Sequence, residues 1–123
     1  MSANHTPVEE VMSRTLEIIP PEEPISEAAA EMRDRRLGAL LVPTAPPAIV
    51  TKNDILDAVA AESDPATTPV EAIMTQPVET VPPDCPLGEA AAMMTTFGTD
   101  HIPVAADDFL GMVSMADVTE GDR

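Results

Sequence analysis

Two short motifs in the chain place a hydroxyl group and a carboxylate at the same spacing. Ser114 is followed three residues later by Asp117, and Thr51 is followed by Asp54 in the same way. A Ser or Thr three residues before an acidic residue is typical of the capping box that begins a helix. The same groups, with the free N–H groups of a helix N-terminus, can also hold a ligand. The motifs therefore predict two helix caps and two candidate binding sites, and these predictions are compatible.

An apolar run precedes each motif and predicts the element that positions it. Residues 48–50 and 109–113 are apolar and lead directly into Thr51 and Ser114. A short apolar run that ends at Ser or Thr is typical of a strand that hands over to a helix. We therefore expect each hydroxyl and carboxylate to lie where a strand ends and a helix begins.

The composition limits the class of partner. The chain has 123 residues, with 22 acidic residues against six Lys and Arg, and a formal net charge of −16. Binding to nucleic acid rests on cationic contacts to phosphates, so this charge argues against a nucleic-acid partner, and it also disfavours anionic membranes. A solvated acidic surface with so little Lys is what we expect of a protein that stays soluble in high salt. With two Phe and no Trp or Tyr, the core is predicted to be aliphatic.

Cysteine usage and hydropathy bear on the compartment. The single cysteine, Cys85, excludes an intrachain disulfide, and it has no His or second Cys at catalytic or metal-ligating spacing. No apolar stretch approaches the ~20 residues of a membrane-spanning helix. The first residues, Met-Ser-Ala-Asn-His, lack the basic and apolar regions of a signal peptide. These features predict a cytoplasmic protein.

The chain contains an internal repeat. When the sequence is shifted by 62 residues, residues 8–42 fall on residues 70–104, and 13 of these 35 positions are identical. The first copy is then one residue shorter, so Thr51 and Asp54 fall on Ser114 and Asp117 at a shift of 63. Such self-similarity predicts two copies of one structural unit.

Each copy predicts the same order of elements. A helical turn (8–12 or 70–74) precedes a short strand (17–19 or 78–81), which a Pro-Pro pair ends. An alanine-rich helix, two strands joined by a tight connection and a final helix follow. The predicted fold class is α+β, with two β-α-β-β-α repeats packed as a pseudo-twofold pair. The predicted boundaries are 1–61 for the first repeat, 62–69 for a linker and 70–123 for the second repeat.

This order of motifs resembles the tandem CBS-domain pair, also called a Bateman module. The second copy offers Val-x-x-Ile-Met-Thr-x-x-Val-x-Thr-Val-Pro (70–82), Glu-Ala-Ala-x-x-Met (89–94), Asp-His-Ile-Pro-Val (100–104) and Gly-Met-Val-Ser-x-x-Asp (111–117). The first copy offers Val-x-x-Val-Met-Ser, Glu-Ala-Ala-x-x-Met, Gly-Ala-Leu-Leu-Val and Ile-Val-Thr-Lys-x-Asp in the same order. The resemblance covers essentially the whole chain, and its specificity lies in the doubled order of individually weak motifs.

The resemblance implies a regulatory module that senses energy state, with no required cofactor. Members commonly bind AMP, ADP, ATP or S-adenosylmethionine in the cleft between the repeats, and they often form homodimers. Many signal to a regulated enzyme, channel or transporter. In the family, the aspartate holds ribose hydroxyls, the Ser or Thr helps to hold phosphate, and a residue before the Ile-Pro-Val strand often reaches a phosphate. Carried over, these roles fall on Asp117 and Asp54, on Ser114 and Thr51, and on His101.

The two copies do not match the family pattern equally. The first has Ala48 where the second has Gly111, and Ala39 where the second has His101. The second copy is therefore predicted to be the more competent site, although Lys52 could supply a cation to the first. No aromatic residue is placed to stack on adenine, so the predicted base slot is aliphatic and consists of Val78, Ile102, Pro103, Val104 and Met112.

Several alternatives remain open from the sequence alone. His101 is either a phosphate contact or a strand residue paired with Asp100. Arg33, Arg35 and Arg36 favour a solvated helix end or a dimer contact over a ligand site. The alternative function is a ligand-free module that provides only a dimerisation or interaction surface. An enzyme is not expected, because the sequence shows no nucleophile–base pair, no metal-ligand cluster and no phosphate-binding glycine loop.

Overall fold

The computed structural model of the protein describes residues 5–121. These residues form four α-helices and four β-strands, divided between two compact units. The central unit comprises residues 17–78, and the terminal unit combines residues 5–16 with residues 79–121. Both units mix helices with a small antiparallel sheet, so the predicted α+β class is confirmed.

The central unit is a helix, a hairpin and a second helix. Helix α1 (Ile25–Arg35) leads to strands β1 (Ala39–Val42) and β2 (Ala48–Thr51), and helix α2 (Lys52–Ala60) follows directly. Helix α1 begins after Pro24, and Arg36 ends it in the left-handed region with φ 56°. Its buried stripe packs on the inner face of the hairpin to form an aliphatic core that includes Ile25, Ala28, Met32, Leu40, Val42 and Val50.

The terminal unit repeats this plan. Helix α3 (Leu87–Phe97) leads to strands β3 (His101–Ala105) and β4 (Phe109–Ser114), and helix α4 (Met115–Gly121) completes it. Gly98 adopts the left-handed conformation after α3 without the steric cost that Arg36 meets in the central unit. The core is again aliphatic and includes Val8, Leu87, Met94, Ile102, Val104 and Val113.

The strand that was predicted to open each repeat is reduced to a single parallel bridge. In the central unit, the Ile19 N–H donates to the Leu41 carbonyl at 2.9 Å and the Leu41 N–H donates to the Glu17 carbonyl at 3.0 Å. In the terminal unit, the Val81 N–H donates to the Pro103 carbonyl at 3.1 Å, and the Ala105 N–H donates to the Val81 carbonyl at 2.9 Å. The Pro-Pro pair that follows each bridge (20–21 or 82–83) has no N–H to donate to a ladder, so the pairing does not extend further.

Residues 5–16 are held in the terminal unit by backbone hydrogen bonds. The Val8 N–H donates to the Cys85 carbonyl at 2.8 Å, and Ser13 and Met112 exchange two bonds of 2.9 and 2.8 Å. The central unit shows the equivalent arrangement, in which Thr75 and Ile49 exchange bonds of 2.9 and 3.1 Å. Each unit therefore takes the residues around its 3₁₀ turn (Val8–Glu10 or Val70–Ala72) from the other sequence repeat. The sequence repeats and the compact units divide the chain at different points.

Candidate functional site

Both hydroxyl–carboxylate motifs lie at the end of a hairpin, as predicted. In the terminal unit, Ser114 is the last residue of β4 and stands directly opposite His101 on β3. In the central unit, Thr51 is the last residue of β2 and stands opposite Ala39 on β1. The hairpin register therefore brings His101, Ser114 and the start of α4 to one end of the terminal sheet.

Reciprocal capping boxes fix the geometry of both motifs. The Ser114 N–H donates to Asp117 Oδ2 at 2.8 Å, and the Asp117 N–H donates to Ser114 Oγ at 3.1 Å. The corresponding distances between Thr51 and Asp54 are 2.8 and 3.2 Å. The predicted helix caps are confirmed, and each carboxylate is held in one orientation by its box.

Each capping carboxylate keeps one oxygen for another partner. Among the described residues, neither Asp117 Oδ1 nor Asp54 Oδ1 accepts a hydrogen bond. The two boxes differ in access, because Thr51 is only 6% exposed whereas Ser114 is half-buried. Burial raises the pKa of Asp54 above its usual value, and the hydrogen bonds from Thr51 offset only part of that shift. The terminal box is therefore the more accessible of the two.

His101 pairs with its neighbour in the sequence. Its Nδ1 lies 2.8 Å from Asp100 Oδ1, and the ring is half-buried. This is the strand residue paired with Asp100 that the sequence offered as one alternative. The pairing occupies Nδ1 and leaves Nε2 without a partner among residues 5–121, so a phosphate contact through Nε2 remains open.

The two faces of the terminal hairpin divide the predicted base slot. Side chains alternate along a strand, and residues directly opposite each other share a face. Ile102 and Val104 belong to the core cluster together with Val113. Pro103 and its partner Met112 lie on the other face, in line with His101 and Ser114. The side chains of Ile102 and Val104 are therefore part of the core of the terminal unit and do not line the predicted base slot.

Two further candidates have structural roles that the sequence did not indicate. Val78 lies in the central unit, where its N–H donates to the Pro47 carbonyl at 2.9 Å. Gly111 is required by close packing, since a Cβ at this position would lie 2.5 Å from the Ser13 carbonyl oxygen and 2.7 Å from Met12 Sδ. Its presence is explained by residues 5–16 and does not depend on a ligand.

Three residues equivalent to candidates were missed from the sequence. At the shift of 62, Leu16 takes the Val78 position within the terminal unit, and it is half-buried. Leu41 and Ile49 take the positions of Pro103 and Met112 in the central unit, where each is 5% exposed and lies outside the core cluster. The repeat alignment contained the signal for all three.

Lys52 does not accompany the hydroxyl–carboxylate pair beside it. Its side chain lines a cavity of about 310 Å³ between α1 and α2, and Thr51 and Asp54 are not among the lining residues. The other lining residues are Ala29, Met32, Arg33 and Ile55. The structure therefore places Lys52, the cation that the sequence offered to the first copy, at a cavity against α1.

The described residues bear on metal ligation and on membrane insertion. Between residues 5 and 121, no three His, Cys, Asp or Glu side chains are grouped so that they could hold a metal ion. None of the helices in this range has the length and apolar character needed to cross a bilayer.

Cys85 is a titratable group outside the candidate site. It is 4% exposed, and its Sγ lies 3.7 Å from Glu89 Oε2. Burial, followed by the charge of Glu89, raises the pKa of Cys85 to about 11. Because the thiolate is the reactive form, we expect native Cys85 to react with iodoacetamide at pH 8 about a hundredfold more slowly than in the unfolded chain. Alkylation followed by mass spectrometry measures both rates, and equal rates would contradict a buried neutral thiol.

The fold and the site together define a tandem α+β protein whose two units each present a capped hydroxyl–carboxylate pair at a strand–helix junction. The model of the CBS domain family matches residues 8–61 and 70–122, and the chain belongs to that family as a tandem CBS pair. CBS pairs are a family of regulatory modules.

The chain is similar to proteins from several organisms. An uncharacterised 17.7 kDa protein of Acidianus ambivalens is 30% identical over 118 residues, which cover 92% of this chain and 71% of that protein. The structure of a hexameric CBS-CP12 protein from bloom-forming cyanobacteria is 28% identical with a TM-score of 0.86, and the match covers 92% of this chain and 69% of that one. An uncharacterised conserved protein from Pyrococcus horikoshii is 27% identical with a TM-score of 0.84, over 98% of this chain and 94% of that one.

Proposed function

We propose that this protein is a regulatory CBS pair that binds an adenosine-containing ligand and signals its bound state to a partner. The candidate ligands are AMP, ADP, ATP and S-adenosylmethionine. The observation that carries the proposal is Asp117 Oδ1, a carboxylate oxygen without a partner among the described residues. Its carboxylate is held by the capping box with Ser114, the residue that stands opposite His101 in the hairpin. This arrangement supports a site for a molecule that has both hydroxyl groups and a polar tail.

Each group has a chemical role in this proposal. Asp117 Oδ1 accepts hydrogen bonds from ribose hydroxyls, and such bonds to a charged acceptor are stronger than neutral ones. The Ser114 hydroxyl offers a donor to a phosphate or to the carboxylate of S-adenosylmethionine, and the imidazolium form of His101 offers a second donor through Nε2, because its Nδ1–H faces the Asp100 carboxylate. Pro103 and Met112 are the apolar residues on the same face of the sheet that would border the base, and both are buried, with Met112 8% exposed.

Charge affects the choice of ligand and of conditions. At a net charge of −16, the chain repels an anionic nucleotide at low ionic strength. Molar salt or bound Mg²⁺ relieves that repulsion, which agrees with a high-salt cytoplasm as the proposed setting. S-adenosylmethionine carries a cationic sulfonium and avoids most of the penalty.

Signalling in this proposal is a shift of population between two arrangements of the pair. A ligand that binds one arrangement more tightly raises its share in proportion to the difference in affinity. The readout is a change in how the chain docks to a regulated enzyme or transporter, or to a second copy in a homodimer.

Thermal unfolding in molar salt tests the proposal. A ligand at a hundredfold excess over its Kd should raise the free energy of unfolding by about 2.7 kcal/mol. The four candidate ligands are compared with adenine alone and with inorganic phosphate alone, which lack the ribose. The absence of a shift with all four ligands would contradict the proposal.

A second function is favoured by the surface of α2. Leu56 is 65% exposed and Val59 is 49% exposed, so apolar side chains stand in solvent on this helix. A module that acts only through such a surface would show no ligand-dependent shift in unfolding, while its self-association would depend on Leu56 and Val59. The same unfolding experiment therefore separates the two functions.

A further inference from the structure

The cavity between α1 and α2 combines an apolar floor with a cationic rim. Its volume is about 310 Å³, at the lower end of the range for small-molecule sites. Helix α1 contributes Ala29, Met32 and Arg33, and helix α2 contributes Lys52 and Ile55. Two of the five lining residues thus carry cationic side chains, and the three apolar ones, Ala29, Met32 and Ile55, are the apolar floor of the cavity.

The sign of the charge at this cavity is opposite to that of the chain. Acidic residues outnumber Lys and Arg by 22 to six, yet two of those six cations line this cavity and none of its lining residues is acidic. Arg33 Nε is bonded to Asp34 Oδ1 at 2.9 Å, which leaves both terminal guanidinium nitrogens without a partner among the described residues. Within the same residues, the ammonium of Lys52 forms no ion pair and no hydrogen bond.

The other repeat shows that the fold does not need these cations. At the shifts of 62 and 63, Ala29, Met32 and Ile55 correspond to Ala91, Met94 and Val118, so the apolar floor is kept. Arg33 corresponds to Thr95, and Lys52 corresponds to Met115. The same packing of two helices on a hairpin is therefore built without either charge, and the cations of the central unit call for another explanation.

We propose that the α1–α2 cavity of the central unit binds a small amphipathic anion. The apolar body of the ligand lies against Ala29, Met32 and Ile55, and its carboxylate, sulfonate or phosphate head lies between Arg33 and Lys52. Guanidinium and ammonium groups suit such a head because charge-assisted hydrogen bonds are the strong ones. The cavity excludes Thr51 and Asp54 from its lining, so this site is independent of the proposed adenosine site.

The probe for this site is 1-anilinonaphthalene-8-sulfonate, a fluorescent molecule with an apolar body and one sulfonate. We expect the native protein to bind it with a stoichiometry of one, at one fixed salt concentration. Lys52→Met should weaken binding about tenfold, and Arg33→Thr combined with Lys52→Met should weaken it further. Both variants introduce residues that the second repeat already carries on the same scaffold, and the single variant Arg33→Thr serves if the double variant does not fold.

The matched control is Arg14→Met, which removes one positive charge from the terminal unit. It should leave the affinity within twofold of wild type, and an equal loss would show a general charge effect and overturn the proposal. Each variant must retain a cooperative unfolding transition, because the probe also binds partly unfolded chains. The absence of binding to the native protein would likewise overturn it.

Competition defines the ligand chemistry. Octanoate should displace the probe, whereas octanol and inorganic phosphate at the same concentration should not, since each lacks one half of the amphipathic structure. Displacement by octanol equal to that by octanoate would reduce the site to an apolar patch, and equal displacement by phosphate would reduce it to a simple anion site. Displacement by AMP that depends on Lys52 would assign the cavity to the nucleotide. Each of these three results would overturn the proposal.

Discussion

Replacement of Asp117 with asparagine is expected to weaken binding of the stabilising adenosine ligand by about tenfold to a hundredfold, while the protein stays folded. The asparagine carbonyl oxygen can still accept the Ser114 N–H that now reaches Asp117 Oδ2 at 2.8 Å. The capping box therefore survives, but the second oxygen becomes an NH₂ group and the negative charge is lost. A hydrogen bond to a charged acceptor contributes about 1.5–3 kcal/mol, and 1.4 kcal/mol corresponds to a factor of ten in Kd.

Asp54→Asn is the matched variant in the other copy. It removes the same charge from the same kind of box, but Thr51 is nearly buried and Ala39 replaces the histidine opposite. We expect this variant to weaken binding by less than threefold. Titration calorimetry in molar salt gives both Kd values, and circular dichroism confirms the fold of each variant. A greater loss with Asp54→Asn than with Asp117→Asn would reverse the assigned ranking of the two copies.

Alanine at position 117 gives a different result, which separates the loss of stability from the loss of ligand affinity. Asp117→Ala removes the acceptor for the Ser114 N–H and so costs a cap, with a loss of about 1 kcal/mol of stability. Asp117→Asn should cost much less stability yet lose most of the affinity. If the asparagine variant bound the ligand as tightly as wild type, Asp117 would be a helix cap only.

Features encoded by neighbouring residues could be predicted from the sequence. The capping boxes depend on residues three apart, and the strand–helix junctions depend on short apolar runs that end at Ser114 and Thr51. The repeat supplied a second, independent copy of each pattern, which supported the order of elements. These predictions held because every interaction that they needed lies within one hairpin or one helix turn.

Features that depend on long-range pairing could not be predicted in the same way. The pairing of Ser13 with Met112 and that of Thr75 with Ile49 join residues far apart in the sequence. The repeat alignment matches Ser13 with Thr75 and Ile49 with Met112, so it does not show which member of one couple pairs with which member of the other. The steric need for Gly111 follows from this pairing, so it too was visible only in three dimensions. The division of β3 between two faces of the sheet could be predicted from the sequence, because side chains alternate along a strand. Ile102 and Val104 therefore share one face, and Pro103 lies on the other.

The direction in which a side chain points at the start of a helix was also not predictable from the sequence. Lys52 follows Thr51 directly in the sequence, which suggested that it serves the same ligand. Successive residues of a helix point about 100° apart, so neighbours at its first turn face different surroundings. Lys52 lines the cavity against α1 as a result, and the sequence could not distinguish these two directions.

Val8→Ala is expected to destabilise the terminal unit, most of whose residues (79–121) lie more than 70 positions later in the chain. Val8 is fully buried among residues such as Leu87, Met94 and Val113. Loss of its two methyl groups from a packed core should cost roughly 2 kcal/mol and lower Tm by roughly 8 °C. Val70→Ala is the matched variant, since Val70 is equally buried in the core of the central unit.

Hydrogen exchange shows which unit each variant loosens. The Met112 N–H is bonded to the Ser13 carbonyl at 2.8 Å, and the Ile49 N–H is bonded to the Thr75 carbonyl at 3.1 Å. Val8→Ala should speed exchange at Met112 more than at Ile49, and Val70→Ala should do the opposite, because local opening releases the amides packed against the altered side chain. If Val8→Ala instead loosened Ile49 and the rest of residues 17–61, the first sequence repeat would fold as its own unit, and the pairing of Val8 with residues 79–121 would be wrong.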